Sequence, residues 1–259
     1  MRKSLAVAAL GLLFAVGAST GALAQAAEEA SPPSQTWSFN GPFGTYDRAA
    51  LQRGYQVYKE VCSACHSMKY VAFRNLGESG GPELSEPAVK ALAAEFQIGD
   101  GPNDKGEMFE RPGRPSDHFK SPFPNEQAAA AQFGTAPPDL SLMAKARKGG
   151  PDYVDALLTG FKDPPAGFKK IPDGRYYNEW FPGHVIAMPP PLSDGQVTYA
   201  DGTKASVQQM ARDVSTFLMW TAEPKLEDRH RVGLKVIIFL LVLCGVFYFA
   251  KKKIWADVH

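Results

Sequence analysis

Cysteine is scarce in this chain, with three residues among 259, and this scarcity restricts what the thiols can do. Cys62 and Cys65 lie three positions apart, whereas Cys244 lies far away inside a long apolar run. A zinc site would need a second pair of ligands at a suitable spacing, and the sequence offers no such pair. Alternation with a period of two is also rare, so the βαβ setting of a thioredoxin-like dithiol is missing.

Neither sign of charge dominates, because 28 Lys and Arg stand against 27 Asp and Glu for a net charge of +1. Nothing in this balance suggests nucleic acid as a partner. The chain has no internal repeat, and its only low-complexity tract is Ala128 to Ala131. With 44% hydrophobic residues, it can build one sizeable core, with or without large insertions.

One short motif carries most of the functional information. Cys62-Ser63-Ala64-Cys65-His66 is the C-x-x-C-H pattern by which c-type haem is attached. Each thiol can form a thioether to a haem vinyl group, and the histidine that follows can ligate the iron from one side. The motif therefore predicts one covalent haem c and a role in electron transfer, with a dithiol site or an unoccupied motif as the alternatives.

The N-terminus predicts export. Residues 1–24 begin with Arg2 and Lys3, continue as an apolar stretch and end in the small-x-small pattern Ala22-Leu23-Ala24, as a secretory signal peptide does. Gln25 would then begin the mature protein. Export agrees with the haem motif, because a likeness to c-type cytochromes implies that a bacterial haem of this kind is attached on the periplasmic side.

The C-terminus predicts a membrane anchor. Residues 232–250 are apolar except for Lys235 and would span about 28 Å as a helix, which is enough to cross a bilayer. Export of the N-terminus would place the haem domain, residues 25–228, in the periplasm and leave residues 251–259 as a cytoplasmic tail. Since Cys244 would then lie in lipid, no structural disulfide is expected.

Helical periodicity and capping residues predict an all-α domain with long loops, and with the haem motif this is a cytochrome c-like haem domain. The predicted helices run from Asp47 into Cys62, from Pro87 to Phe96, from Pro151 to Gly160 and from about Ser206 to Ala222. Glycine and proline are frequent from Gly99 to Pro124 and from Asp163 to Pro191, which predicts loops. Loops this long usually have a function, and wrapping a large flat cofactor is one such function.

The ligand on the second face of the iron decides whether the iron can bind small molecules. Met210 and Met219 fit the core side of the last soluble helix better than a ligand position. Met188 lies between an apolar run and three prolines, a setting that can hold a thioether stiffly without a helix or sheet. We therefore favour Met188, with His184 as the main competitor.

Several segments, taken in order, resemble the cytochrome c1 family. They are Cys62 to His66, Ala136-Pro137-Pro138-Asp139-Leu140-Ser141, Ala146-Arg147-Lys148-Gly149-Gly150, Asn178 to Gly183, Ala187-Met188-Pro189-Pro190-Pro191-Leu192 and the single C-terminal anchor. A lone C-x-x-C-H is shared by many cytochromes, whereas this ordered set is far more selective. The similarity spans essentially the whole mature chain.

The resemblance implies roles for individual residues. Cys62 and Cys65 would carry the thioethers, and His66 and Met188 would be the proximal and distal iron ligands. Arg147, which would otherwise be taken for a surface residue, would lie near a haem propionate, a role that its fixed charge and fork of donors suit. The chain lacks the cysteine pair for the disulfide found in some bacterial relatives.

The resemblance also implies a function and partners. The chain would be the haem subunit of a bacterial cytochrome bc1 complex, a ubiquinol-cytochrome c reductase, anchored by one span in the inner membrane of a respiratory or photosynthetic cell. It would pass single electrons from the Rieske iron-sulfur subunit to a soluble c-type cytochrome, while a cytochrome b subunit handles quinol, in a dimeric complex. On this interpretation the chain is an electron carrier and not a catalyst on its own.

Two other functions stay open at this point. The chain could be the cytochrome c subunit of another membrane dehydrogenase or oxidase, which co-purifying subunits would distinguish. It could also be a membrane-anchored haem peroxidase, which would need an open position on the iron.

Residues 77–110 contain eight acids and two bases, a local excess of six negative charges. Such a patch could steer a basic redox partner, and the encounter would then weaken as salt rises. A solvated loop without a partner explains the same composition equally well.

Overall fold

A computed structural model describes residues 31–257 of the chain, so the predicted signal peptide lies outside the described residues. The helices are α1 Arg48–Glu60, α2 Glu86–Ala94, α3 Glu126–Phe133, α4 Met143–Ala146, α5 Pro151–Thr159, α6 Val207–Ala222 and α7 Leu226–Ile254. The strands are β1 Gln97–Asp100, β2 Phe109–Pro112, β3 Tyr176–Tyr177 and β4 Val185–Ile186. Short 3-10 turns cover Cys62–Ala64, Phe73–Gly77 and Pro182–His184.

The four predicted soluble helices are confirmed, and their N-terminal caps explain where three of them begin. Asp47 accepts hydrogen bonds from the backbone at the start of α1, and Ser85 and Ser206 do the same for α2 and α6. The described chain is mostly helical, as predicted, with two antiparallel hairpins in addition, β1–β2 and β3–β4.

The centre of the core lies where α1 crosses α6. A Cβ atom on Gly54 of α1 would lie 2.1 Å from the carbonyl oxygen of Asp213 on α6, so only glycine permits this approach. Arg53 makes a two-pronged ion pair with the Asp213 carboxylate, whose side chain is 1% exposed, at 2.9 and 3.0 Å. Aromatic rings of Tyr58 and Phe217 pack beside the crossing. The crossing is therefore close and fixed in register.

Helix α7 leaves the soluble domain and is long and apolar enough to cross a membrane. Its middle is exposed over its full circumference, with Leu241 and Phe249 about two-thirds exposed. The predicted span, residues 232–250, lies wholly inside this helix.

The start of α7 is tied to the start of α1. The Glu227 carboxylate accepts two hydrogen bonds from Arg48 and one from the backbone N–H of Tyr46, each at 2.8 Å. A ring nitrogen of His230 lies 3.2 Å from the carbonyl oxygen of Gly44. These contacts set the direction in which the apolar helix leaves the soluble domain.

Candidate cofactor site

The C-x-x-C-H motif follows directly from helix α1. After Glu60 the chain tightens into a 3-10 turn in which the Cys62 carbonyl accepts hydrogen bonds from the backbone N–H groups of Cys65, at 3.1 Å, and His66, at 2.9 Å. Both thiols are free and half-buried, and both line one large cavity together with the His66 ring. The rigid helix therefore delivers all three side chains to the same wall.

The His66 ring is held in one tautomer. Its Nδ1 lies 2.8 Å from the carbonyl oxygen of Pro138, and because a carbonyl can only accept, Nδ1 must carry the hydrogen. Burial lowers the pKa of His66, although the contacts with Pro138 and Asp139 oppose this shift. No described residue forms a hydrogen bond with Nε2, so a neutral ring presents a free lone pair there.

Asp139 fixes the segment that carries Pro138. Its carboxylate accepts hydrogen bonds from the Ser67 hydroxyl at 2.7 Å and from the backbone N–H groups of Lys69 and Ser141, both at 2.9 Å. Burial opposes ionisation, but these hydrogen bonds prevail and lower the pKa of Asp139. The Asp139 carboxylate therefore links Ser67 and Lys69, which follow the motif, to the segment that carries Pro138.

The cavity has a volume of about 670 Å³ and a mostly apolar lining. Its walls come from the motif, residues 133–147, helix α5, helix α6 and residues 185–191. The volume falls within the range of about 300–1,000 Å³ that is typical of cofactor pockets. Of the two long loops predicted from sequence, only the second, residues 163–191, contributes to this lining.

Met188 lines the cavity, whereas His184 does not. The β3–β4 pair places Ile186 opposite Tyr176, and Met188 follows two residues later. His184 instead stacks on Tyr177, with ring centroids 5.7 Å apart, and its Nδ1 lies 3.3 Å from the Asn178 carbonyl oxygen. Of the two candidate ligands weighed from sequence, only Met188 lines the cavity, and its role as an iron ligand stays a prediction.

Asn178 organises the turn that leads to Met188. Its fully buried side chain donates to the Leu157 carbonyl at 2.7 Å and accepts from the backbone N–H groups of Trp180 and Phe181 at 3.0 and 3.1 Å. Positive φ angles at Gly183 and His184 then reverse the chain toward β4. A single amide thus fastens this segment to α5.

Three further residues that line the cavity are Arg147, Met143 and Arg175. Arg147 lines the cavity and is exposed at the end of α4, and its place near a haem propionate stays a prediction. Met143 and Arg175 also line the cavity, although sequence analysis gave neither a role. Met143 was one methionine among several, and Arg175 stood in a loop with no pattern to mark it. Only the folded chain brings them to the site.

The thiols do not resemble a reactive dithiol pair. Burial, with a smaller contribution from Cys65, raises the pKa of the Cys62 thiol to about 12, so the thiolate needed for thiol exchange is disfavoured. Within residues 31–257 no group of three or more His, Cys, Asp or Glu gathers as a metal site. Two thiols, one imidazole with a free lone pair and a thioether around one apolar cavity fit a covalently attached haem.

In the fold, bases from other parts of the chain balance much of the negative charge of the acidic segment, residues 77–110. Five of its eight acids form ion pairs, and four of these pairs use bases from outside the segment: Arg48, Lys59, Arg111 and Lys225. Asp104, Glu107 and Glu110 have no ion pair within the described part of the chain. The geometry therefore gives little support to strong electrostatic steering by this segment.

Comparison with known proteins shows relatives along the whole domain. The family model described as Cytochrome C1 family matches residues 37–258. "Cytochrome c1" of Rhodospirillum rubrum is 48% identical, over 98% of this chain and 97% of that protein. "Cytochrome c1, heme protein, mitochondrial" of Saccharomyces cerevisiae is 47% identical, over 95% of this chain and 79% of that protein.

A further relative is longer than this chain. "Cytochrome b/c1" of Bradyrhizobium diazoefficiens is 54% identical over 99% of this chain, and the match covers 41% of that protein. The chain therefore spans about two-fifths of this relative's length.

Proposed function

Because this chain belongs to the cytochrome c1 family and carries a covalent c-type haem, we propose that it is the electron-transfer subunit of a cytochrome bc1 complex. Its haem would receive single electrons from a Rieske iron-sulfur subunit and deliver them to a soluble c-type cytochrome. The observation that carries this proposal is the cavity itself, which gathers Cys62, Cys65, His66 and Met188 around one apolar space.

We assign each of these side chains a role. The Cys62 and Cys65 sulfurs would form the two thioethers, and His66 Nε2 and Met188 Sδ would hold the iron. The bound haem supplies a reversible one-electron change at its iron, and a His/Met pair favours a raised potential. If His66 and Met188 both hold the iron, no substrate could bind to it, and this would distinguish a carrier from a peroxidase.

The rest of the chain would tune this centre. The Pro138 carbonyl fixes the tautomer of His66, and the hydrogen bonds to the Asp139 carboxylate keep Pro138 in place. The apolar walls would keep water from much of a bound haem and would thereby limit the reorganisation that accompanies a change in charge. Arg147 would offer its cation to a haem propionate.

We further propose that residues 1–24 are a signal peptide, residues 25–228 a periplasmic haem domain, residues 232–250 the membrane span and residues 251–259 a cytoplasmic tail. The support is the apolar α7 helix and the lysine triplet, residues 251–253, that follows the span. Protease added to intact spheroplasts should remove the haem domain and spare a tag placed after residue 259. Protection of the haem domain would contradict this orientation.

The proposed partners are a cytochrome b subunit, a Rieske subunit and a soluble c-type cytochrome, within a dimeric complex that meets membrane lipid along α7. Isolation of the tagged chain from mild-detergent extracts tests this directly. A b-type cytochrome and a Rieske protein should co-purify, and added quinol should reduce the covalent haem. Co-purification with a different dehydrogenase or oxidase would replace this proposal with the alternative that the chain is the cytochrome c subunit of that enzyme.

Single-cysteine variants test the attachment that the function requires. Cys62→Ser and Cys65→Ser should each lose one thioether, and the double variant should lose covalent haem on a denaturing gel. Cys244→Ser, in the apolar helix, is the matched control and should keep its haem. Covalent haem in the double variant would contradict the assignment.

A further inference from the structure

Arg175 lines the main cavity and also a smaller cavity beside it. The two cavities share Phe133, Arg175, Ala187 and Pro189, so they adjoin each other at the two residues that flank Met188. The smaller cavity is more polar, because Gln132 and Asp173 also line it. A small polar cavity therefore adjoins the apolar main cavity next to the proposed ligand.

The charge of Arg175 has no partner among residues 31–257. Its side chain is only partly exposed, and no described acid lies within ion-pair distance of its guanidinium, Asp173 included. One of its terminal nitrogens instead lies 3.9 Å from the point where a Cβ on Gly134 would sit. A cation withdrawn from water without a counter-charge is costly, so this arrangement favours an anion in the smaller cavity.

A haem bound in the main cavity brings two carboxylates with it. The apolar walls cannot stabilise them, so each must reach a cation or water. Among the residues that line the main cavity, Arg147 and Arg175 are the two arginines, and neither forms an ion pair with any described residue. Arginine suits this task because its planar fork can hold a carboxylate with two hydrogen bonds.

We propose that Arg175 binds one of the two haem carboxylates in the smaller cavity, beside the Met188 segment. This inference rests on the haem site proposed above. Arg175 would lower the cost of burying that carboxylate and raise the haem's affinity for an electron through its positive charge. It would also join the cofactor to residues 175–189, the segment that supplies the distal ligand.

Redox titration of the holoprotein tests the proposal. Arg175→Gln should shift the midpoint potential downward, and Arg175→Lys, which keeps the charge but loses the fork, should shift it less. Lys170→Gln is the matched control, because Lys170 is exposed in the same loop, lines neither cavity and has no ion pair in the described chain. It should leave the potential close to that of the unaltered protein, since an exposed charge is screened.

A spectroscopic signature separates direct contact from a general charge effect. The resonance Raman band for bending of the haem carboxylates should move in both Arg175 variants and stay in place in Lys170→Gln. If Arg175→Gln fails to mature, Arg175→Lys still reports through this band. Equal potentials and unchanged bands in the Arg175 variants and the control would overturn this inference alone, whereas a protein without covalent haem would overturn the proposed function itself.

Discussion

Replacement of Asn178 by alanine should loosen the Met188 segment without unfolding the helical domain. The fully buried amide makes three hydrogen bonds, to the Leu157 carbonyl and from the Trp180 and Phe181 N–H groups. Removal of the amide leaves these three backbone groups without a hydrogen-bond partner where water has little access. The cost is about 1 kcal/mol for each group. The total of about 3 kcal/mol corresponds to roughly a hundredfold larger fraction of molecules with this segment detached.

The assay follows two signals during denaturant titration of the oxidised holoprotein. The far-red charge-transfer band of a thioether-ligated ferric haem would report the proposed ligation by Met188, and far-ultraviolet circular dichroism reports the helices. In Asn178→Ala the band should disappear at clearly lower denaturant than in the unaltered protein, well before the helical signal falls.

Asn103 provides a matched control. It makes the same pattern of three hydrogen bonds, one donated to Glu107 and two accepted from the backbone N–H groups of Lys105 and Glu107, but it is exposed in the β1–β2 loop. Asn103→Ala should change neither midpoint appreciably, because water replaces the lost partners. Equal effects of the two variants on the charge-transfer band would refute the reasoning.

Two further predictions concern stability. Gly54→Ala should destabilise the protein by about 2 kcal/mol in chemical denaturation, because its Cβ would meet the Asp213 carbonyl, while Gly233→Ala, which has nothing within 4 Å, should not destabilise it. A neutral Gly54→Ala would mean that α1 and α6 cross less closely. Arg111 lowers the pKa of Asp117 to about 2, so the ionised carboxylate stabilises the fold above its usual pKa and loses this effect as pH falls through about 2. Asp117→Asn should therefore lower the melting temperature at about pH 6, and the difference should shrink toward about pH 2; a difference independent of pH would contradict this.

Sequence reasoning located the elements whose determinants are local. Asp47, Ser85 and Ser206 are capping residues followed by helical periodicity, and each precedes a helix in the structure. The apolar C-terminal run needed only its length and composition to be recognised. The C-x-x-C-H spacing likewise carries its own chemistry, which is why the attachment residues could be named before any fold was known.

Features that depend on contacts between distant segments could not be predicted in this way. Arg175 reaches the cavity only because residues 175–189 fold back over α5, and no local pattern distinguishes it from neighbouring lysines. Helix α3 has almost no apolar face, and Ala129 is its one buried residue. Its sequence therefore looks like a low-complexity tract and not like an amphipathic helix. The acidic segment looked unbalanced because four of its basic partners come from elsewhere in the chain.

The choice of Met188 could be predicted from the sequence only in part. Prolines on one side and apolar residues on the other identified a stiff segment, but they could not show which side chain in it would face a cavity. The β3–β4 hairpin separates the two candidates, since His184 packs on Tyr177 and Met188 lines the cavity. Met143 also lines the cavity, so replacing Met143 is a control for replacing Met188. The sequence alone would not have suggested this control.

Carbon monoxide binding to the reduced holoprotein is the most direct test of a carrier whose iron is held by the protein on both faces. The unaltered protein and Met143→Ala should show no change in the haem spectrum under carbon monoxide, whereas Met188→Ala should bind it readily. Ready binding by the unaltered protein, or by Met143→Ala but not Met188→Ala, would contradict the account.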